Sequence, residues 1–175
     1  MKNKTIWITG LSGSGKSTLA TKIVRKLIKR NYKVIFIDGD RLRKIFNFEN
    51  KNKNYTLKAR LNIAKKYSLL CKEITDQGLN VVISTISLFS YIHKWNRKNL
   101  KDYYEIYLKV PLNIVKKRDS KKIYKNFKKG VFKNVVGLDL KYDEPKKPNL
   151  IIENYGIHYP IDSIIKKIIK KNNKI

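Results

Sequence analysis

Eight residues near the start, Gly10 to Ser17 (GLSGSGKS), constrain this chain more than any other stretch of it. They follow the short apolar run Thr5 to Thr9. They precede a helical pattern from Lys16 to Arg30 that puts Leu19, Ile23, Leu27 and Ile28 on one face. A strand, a glycine-rich loop and a helix in that order make a phosphate cradle, because glycines let the backbone curl until successive N–H groups and the helix N-terminus face an anion. Gly10, Leu11, Ser12, Gly13, Ser14 and Gly15 then surround the phosphate chain, and Lys16 reaches its β- and γ-phosphates. Ser17 places its hydroxyl on Mg²⁺ and Thr18 adds a donor near the α-phosphate. ATP with Mg²⁺ is the expected cofactor pair.

The rest of the chain continues the alternation. Lys33 to Ile37 (KVIFI) and Leu79 to Ile83 (LNVVI) read as buried strands, near-continuously apolar as parallel strands covered on both faces must be. Tyr104 to Val110 and Leu150 to Glu153 add two more, with helical patterns at about 56–76, 91–100, 111–118 and 160–172. Strand alternating with helix predicts an α/β fold of three layers, the P-loop NTPase type, with a central parallel sheet and helices on both faces. At 175 residues the expectation is one domain spanning 1–175. The stretches Lys44 to Asn54 and Ser120 to Lys147 lack regular apolar periodicity, and loops this long inside a compact fold are usually functional or disordered. The last helix carries Ile161, Ile164, Ile165, Ile168 and Ile169 on one face with lysines on the other, the pattern of a helix docked on a core.

A formal charge of +28 raises nucleic-acid binding as a function class, since Lys and Arg contacts to phosphate dominate such affinity. Composition argues against it. Only seven of the 41 basic residues are arginine, and lysine, asparagine and isoleucine are abundant together, which A/T-rich codons explain. What the charge does supply is a positive field that draws in anionic substrates. Tyr103, Tyr104 and Tyr107 occupy strand positions, where aromatics pack cores more often than they stack on bases. A basic nucleic-acid-binding module keeping its P-loop for regulation is the alternative from another class. Salt-dependent retention on DNA or RNA without kinase activity is what distinguishes it. The lone cysteine, Cys71, lies among Leu69, Leu70 and Ile74, so a buried thiol and no internal disulfide are expected. Because the motif begins at once and no apolar run nears the roughly 20 residues that span a bilayer, a cytoplasmic protein without membrane contact is expected. His93 and His158 form no catalytic constellation.

The second predicted strand ends in Asp38-Gly39-Asp40, followed by Arg41 and Arg43. Two carboxylates beside a magnesium–triphosphate site can hold the metal, directly or through water, or accept the proton of an attacking hydroxyl. Arg43 suits the anionic part of an acceptor.

The runs GLSGSGKST, FIDGDRLR, STISLF, RDSKKIYK and GLDLKYDEP, in this order and spacing, resemble adenylylsulfate kinase from about Ile6 to Ile152. The resemblance implies that ATP phosphorylates the ribose 3′-hydroxyl of a small nucleotide, adenosine 5′-phosphosulfate in that family. It implies Asp38 and Ser17 at the metal, Asp40 at the acceptor hydroxyl, and Lys16 with Arg118 on ATP. A lid at about 119–147 opens with Arg118 and Asp119 and carries Lys121 near the phosphates. Arg43 and Arg60 hold the acceptor's phosphate end, and Ile86 and Ser87 contact the acceptor. Ser87 has a second possible role as a helix N-cap. A homodimer is compatible with this assignment.

The resemblance breaks on the acceptor side. Three residues after Arg60 the family usually has Asn, and this chain has Ile63. The Phe that stacks on the acceptor's adenine is Tyr55, its opposite number is Val135, and Leu88 replaces a proline; the loop before Tyr55 is about three residues longer. Base–aromatic stacking is worth about 1–3 kcal/mol, so losing one face weakens adenine binding roughly 5- to 150-fold. An intact phosphate site beside an altered base pocket suggests a different base, such as cytosine. Cytidine diphosphoramidate, the acceptor of one branch of kinases similar to adenylylsulfate kinase, is the alternative acceptor.

Overall fold

The computed structural model, which describes residues 1–49, 54–156 and 159–170, puts the strand before the glycine loop at the centre of the sheet. That strand, β1 (Lys4–Gly10), is buried at every residue. Successive side chains of a strand point to opposite faces, so Ile6 and Ile8 enter one core and Trp7 another. The other strands are β2 (Val34–Asp38), β3 (Asn80–Thr85), β4 (Asp102–Lys109) and β5 (Leu150–Glu153). All pairs are parallel and the order is β2-β3-β1-β4-β5.

Seven helices lie among the described residues: α1 (Lys16–Ile28), α2 (Gly39–Ile45), α3 (Leu57–Asp76), α4 (Ser90–Asn99), α5 (Leu112–Arg118), α6 (Ile123–Lys128) and α7 (Ile161–Ile169). α1 and α7 cover the Ile6/Ile8 face, where Leu19, Ile23 and Leu27 meet Ile164, Ile165 and Ile168. Burying an isoleucine side chain stabilises by about 1.5–3 kcal/mol, which explains why the amphipathic α7 docks while Lys166 and Lys167 stay exposed. α3 and α4 cover the Trp7 face with Ile63, Tyr67, Cys71 and Ile92. A third cluster of Leu11, Leu88, Tyr107, Val115, Tyr124, Val135 and Val136 anchors the segment 119–147 over the C-terminal edge of the sheet. Cys71 is fully buried, and burial pushes its thiol far up in pKa.

The sheet and its two faces match the alternation in the sequence, and four details differ. KVIFI is an edge strand: Ile35 is exposed and Phe36 only half buried, because β2 has a neighbour on one side alone. Helices α2 and α6 stand where no apolar periodicity announces them. Each is one or two turns long and held by a carboxylate: Asp38 accepts from the N–H groups of Asp40 and Arg41, and Asp119 from those of Tyr124 and Lys125. Ser87 is not an N-cap, since α4 starts at Ser90 and the carboxylate meeting Ser90 N–H, at 2.9 Å, comes from Asp143. Finally α7 ends at Ile169; His158 and residues 171–172 lie outside the described residues. No helix among the described residues is long and apolar enough to cross a membrane.

Candidate active site

β1 delivers the chain to the sheet's C-terminal edge and the glycine loop turns there, closed by a Ser14 N–H to Leu11 carbonyl bond of 3.2 Å. Side chains are excluded by space. A Cβ on Gly10 would sit 2.6 Å from the Leu108 carbonyl oxygen, and one on Gly15, whose φ is +95°, would sit 2.5 Å from Tyr159 Oη. Lys16 opens α1 and folds back to donate to the Leu11 carbonyl at 2.7 Å. Burial pulls its pKa down to about 8, against the opposing pull of Asp40 and, more weakly, Asp38; Lys121 adds to the lowering. An ammonium held in a buried loop without a carboxylate bonded to it is poised for a phosphate oxygen.

Asp38 ends β2 beside Ser17. Its Oδ2 accepts from Ser17 Oγ at 2.6 Å and Ser84 Oγ at 2.9 Å, while its Oδ1 takes the N–H groups of Asp40 and Arg41 at 3.0 and 3.2 Å. Burial raises the carboxyl's pKa, but these four donors outweigh it and hold it below the ordinary value. Ser17 Oγ and an ionised Asp38 form an all-oxygen pair of the kind Mg²⁺ accepts when phosphates and waters complete its shell. Asp40, two residues on, is exposed and ion-paired with Lys121 from the segment 119–147. Both partners are more than half exposed, so the pair is worth about 0–1 kcal/mol and exchanges easily for a ligand.

On the other side of the cleft, Tyr55 lies against two guanidiniums, Arg43 at 4.6 Å and Arg60 at 4.9 Å from its ring centre. Arg60 is 8% exposed and donates to the carbonyls of Tyr55 and Asn134, each at 2.9 Å. Its burial, with Arg43 close by, lowers its pKa to about 10. Arg43 donates to the Asn54 carbonyl at 3.2 Å. A cavity of about 430 Å³ runs past Ser12, Gly13, Lys16, Ser17, Thr18, Asp40, Ile86, Ser87 and Arg118. A second, of about 480 Å³, holds Tyr55, Phe132 and Val135, and the two share Ser12, Asp40, Arg43, Arg60, Ile86 and Lys121. Every candidate residue named from the sequence thus lines this cleft or, like Gly10, Leu11 and Ser14, lies directly beneath it. Ile63 also lines the first cavity, while Leu88 is buried away from it.

Four participants, Asn154, Tyr159, Tyr124 and Tyr67, belong to no motif in the sequence. Asn154, immediately after β5, donates to the Ser14 carbonyl at 3.0 Å and reaches Tyr159 Oη at 2.7 Å. Its own carbonyl accepts from Arg118 at 3.0 Å. Tyr124 of α6 donates to the Ser12 carbonyl at 3.0 Å, and Tyr67 of α3 donates to the Gly39 carbonyl at 2.9 Å. Asn154 carried a usable signal, a polar residue ending a strand at the edge where open α/β sheets bind ligands. Tyr67 and Tyr124 carried none, since a tyrosine at helical spacing looks like core.

The family model for adenylylsulphate kinase matches residues 2–153. The cytidine diphosphoramidate kinase of Campylobacter jejuni is 37% identical over 173 residues, covering 96% of this chain and 99% of that protein. The adenylyl-sulfate kinase of Clostridium acetobutylicum is 36% identical over 155 residues, 88% of this chain and 76% of that protein. Among solved structures, the Mycobacterium tuberculosis APS kinase in complex with AMPPNP and APS superposes with a TM-score of 0.82 at 29% identity, over 95% of each chain. With its fold, its phosphate loop and its sequence over nearly the whole length in agreement, the chain belongs to the adenylylsulphate kinase family and is a kinase of that type.

Proposed function

We propose that this kinase moves the γ-phosphoryl group of MgATP to the ribose 3′-hydroxyl of a cytidine nucleotide, cytidine diphosphoramidate. The observation that carries the acceptor is an asymmetry: the phosphate site is complete, while the base pocket has Tyr55 pressed against Arg43 and Arg60 and presents the aliphatic Ile63 and Val135. Arg60 is fixed by two carbonyls, so the face of Tyr55 that it covers does not open to a base. A one-ring base depends less on stacking area than a purine does. The match to the Campylobacter relative over almost all of both chains supports the same acceptor.

The transfer is in line and rests on positioning and charge neutralisation. The glycine loop, Lys16 and Thr18 hold the triphosphate, with Arg118 on the nucleotide side. Ser17 and Asp38 hold Mg²⁺, which screens the phosphate charge. Arg43 and Arg60 face the acceptor's anionic end. Asp40, once Lys121 leaves it for phosphate, accepts the proton of the attacking hydroxyl. The segment 119–147 acts as a lid, and its closure excludes water that would otherwise hydrolyse ATP.

Adenylyl sulfate is the second acceptor, favoured by the retained aromatic at Tyr55 and by the family model. A coupled ADP-release assay with both compounds separates them. The expected result is a kcat/KM for cytidine diphosphoramidate at least about tenfold above that for adenylyl sulfate. The reverse order assigns adenylyl sulfate, and no ADP above background with either removes both.

A further inference from the structure

Three consecutive carbonyls in the connection from β3 to α4 each receive a hydrogen bond from a different part of the molecule. The Ile86 carbonyl accepts from Thr9 Oγ1 of β1, and the Leu88 carbonyl from the Asp143 N–H of the segment 119–147 at 3.0 Å. Between them, the Ser87 carbonyl lies 2.8 Å from His93 Nε2 of α4. Ser87 Oγ is tied in turn to Thr85 Oγ1 at 2.9 Å. Ile86 and Ser87 line the cleft, while His93, 6% exposed, stands behind them and lines neither cavity of the cleft.

The proton on the ring can be placed. Burial holds His93 below its ordinary pKa despite the pull of Glu105 and the Ser87 carbonyl, so the imidazole is neutral with a single N–H. A carbonyl only accepts, which puts that N–H on Nε2 and leaves Nδ1 a lone pair without a partner among the described residues. Glu105 does not draw the ring away. Its Oε1 is 3.8 Å from Nε2 and already accepts from Tyr103 Oη at 2.9 Å, and its Oε2 is held by Arg97 at 2.7 Å.

We propose that His93 is a positioning residue for the acceptor: its Nε2–H sets where Ile86 and Ser87 stand against the nucleotide. The inference rests on the proposed placement of the acceptor against those two residues. It is specific, because the glycine loop and Asp38 take no support from the ring, so the donor site is expected to be indifferent to it.

Steady-state kinetics of His93→Met and His93→Gln, with the acceptor that the wild type turns over, test this. Met fills the space without a donor, whereas Gln carries an N–H at similar reach. His93→Met is expected to raise the acceptor KM about 10-fold, the scale of a buried carbonyl losing its donor, and to leave the ATP KM within about 2-fold. His93→Gln is expected to recover most of the loss. Should the Met variant fail to fold, His93→Asn, whose amide stops short of Ser87, replaces it with the same expected loss. An unchanged acceptor KM, parallel shifts in both KM values, or a Gln variant as poor as Met each overturns the proposal. If the wild type turns over no nucleotide acceptor, the proposed function fails and takes this inference with it. Wild-type turnover with indistinguishable variants removes the inference alone.

Discussion

The two halves of the cleft are built in opposite ways. The proposed donor half is built chiefly on one continuous stretch, Gly10 to Thr18, whose glycine loop offers backbone N–H groups and whose Lys16 offers an ammonium. Asp38, Ser84 and Asn154 brace it from behind. The acceptor half gathers Arg43 from α2, Tyr55 and Arg60 at the start of α3, Ile86 and Ser87 from the β3–α4 connection, and Lys121 and Val135 from the segment 119–147. A backbone cradle tolerates little change anywhere along it. A pocket of side chains from four separate places can be retuned one residue at a time while the phosphoryl-transfer chemistry stays intact, and the departures at Tyr55, Ile63 and Val135 fall there, while Leu88 is buried away from it.

Asp40 sits where the halves meet and gives the largest expected effect. Asp40→Asn is expected to lower kcat by about 10²- to 10⁴-fold, the range for a lost general base, with ATP affinity by calorimetry near wild type. Wild-type turnover in that variant would break the assignment of Asp40. Gly15→Ala strikes the donor half alone: the residue has φ +95° and the new methyl meets Tyr159 Oη. Backbone strain of about 1–3 kcal/mol corresponds to a loss of ATP affinity of roughly 5- to 150-fold, with the clash adding to it. A rise in acceptor KM without a change for ATP would mean that the halves are not separable.

Tyr55→Ala probes the other half. Loss of a stacking face raises the acceptor KM by roughly 5- to 150-fold and leaves ATP binding unchanged, whereas Tyr55→Phe keeps the ring and most of the affinity. Equal effects of Ala and Phe would shift the role from the ring to the hydroxyl. The smallest effect is with pH. Lys16 is an ammonium below its lowered pKa of about 8 and neutral above it, so ATP affinity of the free enzyme is expected to weaken as pH rises through 8. Between pH 7 and 9 the loss is about 10-fold, measured by calorimetry, because each pH unit above the pKa costs about a factor of ten in the charged form. A flat profile would show that Lys16 stays charged in the loop.

Local rules account for what was readable in advance. The glycine loop, the five strands and most of the core faces of α1 and α7 follow from periodicity and turn chemistry, although Ile28, read onto the α1 face, is 55% exposed, and the phosphate-loop residues are contiguous in the chain. Arg60, Ile86, Ser87 and Lys121 are placed only through the likeness of whole motifs, since nothing in their local spacing says that they converge, whereas Arg43 is also legible from its position after Asp38-Gly39-Asp40. Helices α2 and α6 were invisible because a short helix held by a carboxylate needs no apolar stripe. Tyr67, Tyr124 and His93 became meaningful only once the chain was folded, and Asn154 showed beforehand only its place at the end of a strand. Each acts on a carbonyl between 6 and 140 residues away in sequence, and a hydrogen bond to a backbone oxygen leaves no trace in the identity of the residue that supplies it.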